Sequence, residues 1–149
     1  MPYLKWPRTP WVLVQTANLT RQNNGYIVRP VIQNLGKTIA RIRKISLGGT
    51  KPRQISEKLE ATPVYEGQYD FDFILCPEQE FPPEEVPFIL VNGDNIAAIQ
   101  GFVLKLYIYG VVEYLDLSGK ERVTGFVLFY DPPRFLPYLG APSNYYKAT

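Results

Sequence analysis

The stretch GFVLKLYIYGVVEYLDLSGKERVTGFVLFY, Gly101 to Tyr130, constrains the fold more than any other part of the chain. Two long runs of β-branched and aromatic residues flank the turn cluster Asp116-Leu117-Ser118-Gly119, so the segment reads as a β-hairpin. Gly110 interrupts the first run and Gly125 the second. A glycine inside a strand marks a bulge or the close approach of another backbone. Long bent strands of this kind suit two packed sheets.

The rest of the chain fits that frame. Fourteen prolines and 14% aromatic residues, spread over 149 positions, match one domain of many strands joined by irregular loops. Trp11 to Asn18 reads as a first strand, and Arg21 to Gly25 as a polar turn with glycine available for positive φ. From Tyr26 the pattern alternates, with Val28, Pro30, Ile32 and Asn34 on the expected core face; Pro30 cannot donate to a ladder, which implies a sheet edge or a kink. Ile39 to Ser46 reads as the next strand, with Ile39, Arg41, Arg43 and Ile45 opposed to Ala40, Ile42, Lys44 and Ser46. Gln54 to Glu60 is a further candidate, and Tyr69 to Leu75 a better one, with Phe71 and Phe73 opposite Asp70 and Asp72. Cys76 to Pro87, acidic and proline-rich, reads as a surface connection, and Phe88 to Val91 as a short element. No helix-period pattern stands out. The expected organisation is a lead-in over 1–10, a β-sandwich over 11–131, and a Pro/aromatic-rich tail over 132–149 that packs on the domain or meets a partner.

Gly36-Lys37-Thr38 ends like a phosphate-binding loop. Such a loop needs a glycine five residues earlier and a helix afterwards, because several backbone N–H groups must converge on the phosphates. The earlier position is Val31, and the residues after Thr38 read as strand. The expectation is a turn in which Gly36 supplies an unusual φ and Asn34 bonds nearby backbone.

Charge is asymmetric beneath a net +2. Eleven of sixteen basic residues fall in Met1 to Lys58 against a single acid, Glu57, while thirteen acids come after. Arg29, Arg41 and Arg43 are therefore candidate polyanion-binding residues, for anionic lipid or nucleic acid. The competing expectation is that acidic strands from the C-terminal half lie beside them, and no aromatics interleave with them as single-stranded recognition would require.

Nothing points to catalysis. The chain has no histidine, the commonest general base and zinc ligand. Cys76 lacks an activating partner and, as a single cysteine, leaves both cytoplasm and periplasm open. Asp70 and Asp72 would offer two carboxylates to a calcium ion or a hydrolytic site, without the flanking spacing of a calcium loop. No cofactor is expected. No apolar run approaches the ~18 residues that cross a bilayer, and Met1 to Pro10 lacks the apolar centre of a signal peptide, so the expectation is a soluble chain. Phe135, Tyr138, Tyr145 and Tyr146 are candidate partner-binding residues, since aromatics dominate protein interfaces; the competing use is to cover the domain's own sheet.

VIQNLGKTIARI resembles the Asn-x-Gly-[Lys/Arg]-Thr-x-Ala segment in the extracytoplasmic immunoglobulin-like domain of many uncharacterised bacterial membrane proteins. The closing Gly110, Tyr114, Asp116 and Gly119, with Thr124 and Phe126 after them, is similar to that domain's final Gly-x-x-x-Tyr-x-Asp-x-x-Gly hairpin. Ile39 departs from the pattern, which usually has proline there. The resemblance implies an all-β, two-sheet immunoglobulin-like sandwich, a location on the periplasmic or extracellular face of a membrane, and transmembrane helices before a domain starting near Trp11. It supplies no catalytic residue. The expected role is a non-catalytic protein-interaction or assembly module. The rivals are polyanion or membrane-surface binding, and a carbohydrate-binding or carboxylate-based hydrolytic sandwich using exposed tyrosines or Trp6 and Trp11.

Overall fold

A computed structural model describes residues 9–23, 25–49, 52–54, 56–101 and 104–149. Its strands are β1 (Val12–Gln22), β2 (Gly25–Asn34), β3 (Ala40–Gly48), β4 (Arg53–Gln54), β5 (Gly67–Leu75), β6 (Ile89–Asn92), β7 (Leu104–Lys105), β8 (Tyr107–Leu115), β9 (Glu121–Asp131) and β10 (Arg134–Pro137). A helix, α1 (Gly93–Gln100), comes after β6, and a 3-10 turn (Ser143–Tyr145) lies near the chain end. Sheet order β1-β2-β6 faces sheet order β10-β9-β8-β3-β5, and β4 pairs with β7 beside them. The chain is an all-β sandwich, with Val28, Ile32, Ile42, Ile45, Ile108 and Leu128 fully buried between the sheets. Each such side chain contributes about 1.5–3 kcal/mol by leaving water.

Pro30 sits where its missing N–H costs nothing. The backbone of Ile32 and Asn34 bonds to Phe81, Gln79 and Glu78, whereas β6 pairs with β2 only from Gly25 to Val28. Even-numbered residues of β2 therefore point their N–H groups toward that side, because hydrogen-bonding direction alternates along a strand. Pro30 falls in the gap between the two partners. The expected core face of β2 is the observed one: Val28, Pro30, Ile32 and Asn34 are buried.

The face assignment of β3 needs correction. Its register shifts between Ile42 and Lys44 against both β5 and β8. The irregularity switches the alternation, so that Ala40, Ile42, Ile45 and Leu47 all face the core. Ile45 thus parts from Arg41 and Arg43, which stay exposed.

β8 and β9 form the expected hairpin in unbroken register from Tyr107↔Phe129 to Leu115↔Glu121. Both faces of β8 are buried. Ile108, Val112 and Tyr114 face the other sheet, while Tyr107 and Tyr109 join Leu59, Val127 and Tyr145 in a second, outer cluster. The segment before β5 and the chain's last residues cover that outer face.

Four other expectations change. Only Arg53–Gln54 of the segment Gln54 to Glu60 and its surroundings forms a strand, and Ile55 lies outside the described residues. Cys76 to Pro87 is not wholly superficial: Phe81 (3% exposed) packs on Phe71 and Phe73 at 5.1 and 4.8 Å, and Val86 is buried. Helix α1 has no counterpart in the sequence pattern, because eight residues carry too little periodicity; buried Ile99 anchors it by packing rather than propensity. In the β1–β2 turn the positive φ (51°) falls on Asn23, whereas Gly25 is needed because a Cβ there would lie 2.9 Å from the Val91 carbonyl oxygen. Asn24 of that turn, and residues 1–8 of the lead-in, lie outside the described residues.

Candidate functional site: an open sheet edge and an apolar cleft

The Gly36-Lys37-Thr38 turn is held by one buried side chain. Asn34 Nδ2 donates to the carbonyls of Thr38 (2.9 Å) and Leu75 (3.0 Å), and Oδ1 accepts from the N–H groups of Gly36 (3.0 Å) and Trp11 (3.2 Å). Four bonds use the full capacity of a primary amide. The Gly36 N–H is thereby spent on Asn34, not offered to a phosphate. Gly36 does not have the positive φ expected of it. A Cβ there would collide with the Trp11 nitrogen and lie 2.5 Å from the Thr9 carbonyl oxygen, so its role is to let two backbones touch.

The three candidate cations do not share one surface. Arg29 lies on β2, with its guanidinium carbon 5.5 Å from the Phe88 ring centre, while Arg41 and Arg43 lie on β3 in the other sheet. Arg41 makes a bidentate pair with Asp72 of β5, Nε to Oδ1 at 2.6 Å and Nη2 to Oδ2 at 2.9 Å. Arg43 reaches the same carboxylate at 3.8 Å. The hydrogen bonds from Arg41 hold the Asp72 carboxyl below its usual range. Lys44 stands opposite Asp70 on one side and Glu113 on the other. Asp72 is thus committed to guanidinium groups rather than paired with Asp70 for a metal.

The candidate aromatics of the tail lie on the domain itself. Phe135 (2% exposed) stacks on Tyr130 at 4.8 Å, and its carbonyl accepts from the Thr16 hydroxyl. Tyr145 (1% exposed) meets Tyr109 edge to face at 5.0 Å. Tyr138 and Tyr146 are half-buried, Tyr138 against Tyr107 at 4.9 Å and Tyr146 with its hydroxyl donating to the Tyr138 carbonyl. Cys76 is exposed, and its N–H donates to Gln79 Oε1. Trp11 is 58% exposed, whereas Trp6 lies outside the described residues.

Two features remain open. The first is β5, nine residues long and last in its sheet, with no described strand on its outer edge and with Tyr69 (40%) and Ile74 (52%) exposed. The second is a cleft of about 820 Å3 at one end of the sandwich. Leu13, Leu35 and Trp11 line one wall; Tyr114, Arg122, Thr124 and the chain end from Tyr146 line the other. The chain end is seated by the Gly125 N–H donating to the Lys147 carbonyl (2.5 Å) and the Thr149 N–H to the Val123 carbonyl (3.1 Å). Gly125 permits this: a Cβ would collide with the Tyr145 carbonyl oxygen and lie 2.7 Å from the Lys147 nitrogen.

Arg122 is fixed at the cleft by Asp116, whose Oδ2 accepts from Nε at 3.1 Å. The Ser118 hydroxyl, the Lys120 N–H and Arg122 together hold the Asp116 carboxyl down at about 2. Asp116 also closes the hairpin turn through Ser118 and Lys120, as its turn chemistry suggested. Sequence reading misses the cleft because its two walls meet only through long-range pairing. Gly125, an unexplained glycine in a strand, is the one local trace of it.

Fold and site together define an all-β sandwich whose edge strand β5 has no described strand on its outer side, with an apolar, cation-lined cleft. No protein-family model, no curated protein and no solved structure matches the chain.

Proposed function

We propose that the chain is a non-catalytic protein-interaction or assembly module that binds a partner segment by strand addition at β5, as the soluble periplasmic or extracellular portion of a bacterial membrane-associated protein. The observation that carries the reading is the outer edge of β5, which has no strand partner among the described residues and offers a row of backbone donors and acceptors that a peptide in extended form can complete. Asp70, exposed on that strand, favours a partner strand with a basic residue opposite it. Strand order supports the immunoglobulin-like part of the reading. The first, second and sixth strands share one sheet and the third, eighth and ninth the other, as A, B, E and C, F, G do in that fold. The membrane context rests on the sequence resemblance. Polyanion binding draws less support, since Asp72 occupies Arg41 and lies within reach of Arg43.

Selection from a displayed library of extended peptides tests the proposal, with backbone amide shifts locating the binding. The expected winners alternate apolar and basic residues, shift Gln68 to Ile74, and bind about tenfold more weakly to a Tyr69→Lys/Ile74→Lys variant. Peptides that perturb the cleft instead, or a library without winners, would remove the strand-addition reading.

A further inference from the structure

The charged side chains lining the cleft are of one sign, and the chain's last residue, Thr149, also lines it. Lys37, Arg122 and Lys147 line it, and no Asp or Glu stands among its described lining residues. The neighbouring hollow on the outer face of the same strands is balanced instead, with Asp70, Glu113 and Glu121 beside Arg43, Lys44 and Arg122. Between the cations the cleft walls are apolar, with Leu13 and Leu35 inside and the ring of Trp11 exposed at the rim. Two buried hydroxyls also line it. Tyr114 (3% exposed) and Thr124 (9% exposed) stand 3.4 Å apart, a long contact for O–H···O.

We infer that this cleft binds a small amphipathic anion: one carboxylate on an apolar body, acyl or aryl. About 820 Å3 suits a ligand of that size. Arg122, held in place through Nε by Asp116, lines the cleft, and Lys147 adds a second positive charge. The apolar body lies against Leu13, Leu35 and Trp11. A peptide strand suits the cleft less well, because the edge of β9 that bounds it is already taken by the chain's own last residues. This inference is independent of strand addition at β5.

Calorimetric titration of the full chain with dodecanoate, 2-naphthoate and the matched neutral alcohols tests it, with amide shifts mapping the site. Binding of either carboxylate about tenfold more tightly than its alcohol, with shifts at Gly36 and at Val123 to Gly125, is expected. Dodecanoate alone would assign an acyl ligand, and naphthoate alone an aryl one. Arg122→Gln should erase the preference for carboxylate. Lys147→Gln, at an exposed side chain, should reduce it severalfold in a protein of unchanged melting temperature, which guards against a misfolded Arg122 variant. Equal affinity for acid and alcohol, shifts elsewhere, or no binding at millimolar ligand would overturn the inference.

Discussion

The outer face of the five-stranded sheet is built in two ways. Over β8 and β9 it is sealed by aromatic packing: Tyr107, Tyr109 and Val127 lie beneath Leu59, Tyr138, Tyr145 and Tyr146. Over β3 and β5 it is an exposed ladder of charges, Arg41 and Arg43 against Asp72, with both partners about half in water. Burial pushes the phenols of Tyr107 and Tyr109 up to about 12, whereas the carboxyl of Asp72 moves down through direct ion pairing. The sealed half makes the tail part of the domain; the open half ends in β5, which has no described strand on its outer edge.

The sharpest way to break this contrast is to remove the seal. Tyr145→Ala deletes a side chain that is 1% exposed and packed edge to face on Tyr109. The expected cost is about 3–5 kcal/mol, or roughly 10 °C in Tm, with hydrogen exchange rising first at Gly125 and Thr149 as the chain end lifts. A loss below about 1 kcal/mol would show that the tail is an ornament of the sheet rather than part of its core. Tyr145→Phe isolates the packing from the hydroxyl. Both Tyr145 and Tyr65 bury hydroxyls that have no hydrogen-bond partner among the described residues. Removing one should leave stability unchanged or raise it by about 1 kcal/mol, measured by urea denaturation. A clear loss would mean that water bridges those hydroxyls and that the seal is partly polar.

The same contrast marks how much of the molecule is legible in its sequence. The β8–β9 hairpin and the inward face of β2 come from local alternation, which survives because each strand obeys a period of two. Arg41 and Arg43 look like a positive face in the sequence because neutralisation by Asp72 depends on β5 lying next to β3, thirty residues away in the chain. The switch of Ile45 to the core arises from a register shift, which no periodicity announces. Asn34 is legible as a turn residue, but its bond to Leu75 is not, since that partner lies across the sandwich. Gly36 and Gly125 read locally as glycines of conformation or interruption. Both answer to contact, with Thr9 to Trp11 in one case and the chain end in the other.

The open half predicts the smallest effect. Asp72→Asn removes the carboxylate that pairs with Arg41 and lies near Arg43, but the groups are solvent-exposed and screened, so Tm should fall by only about a degree or two. The pH dependence has a definite sign. A carboxyl held below its usual range in the folded state stabilises at pH above that range, and the contribution is lost as pH falls through the depressed value. The difference between the parent and Asp72→Asn should therefore be level near neutrality, shrink on acidification, and shrink also in about 1 M salt. A loss as large as that of Tyr145→Ala would show that the ladder holds β5 onto the sheet. The edge would then be a structural seam, and a partner strand would have to bind without disturbing Arg41.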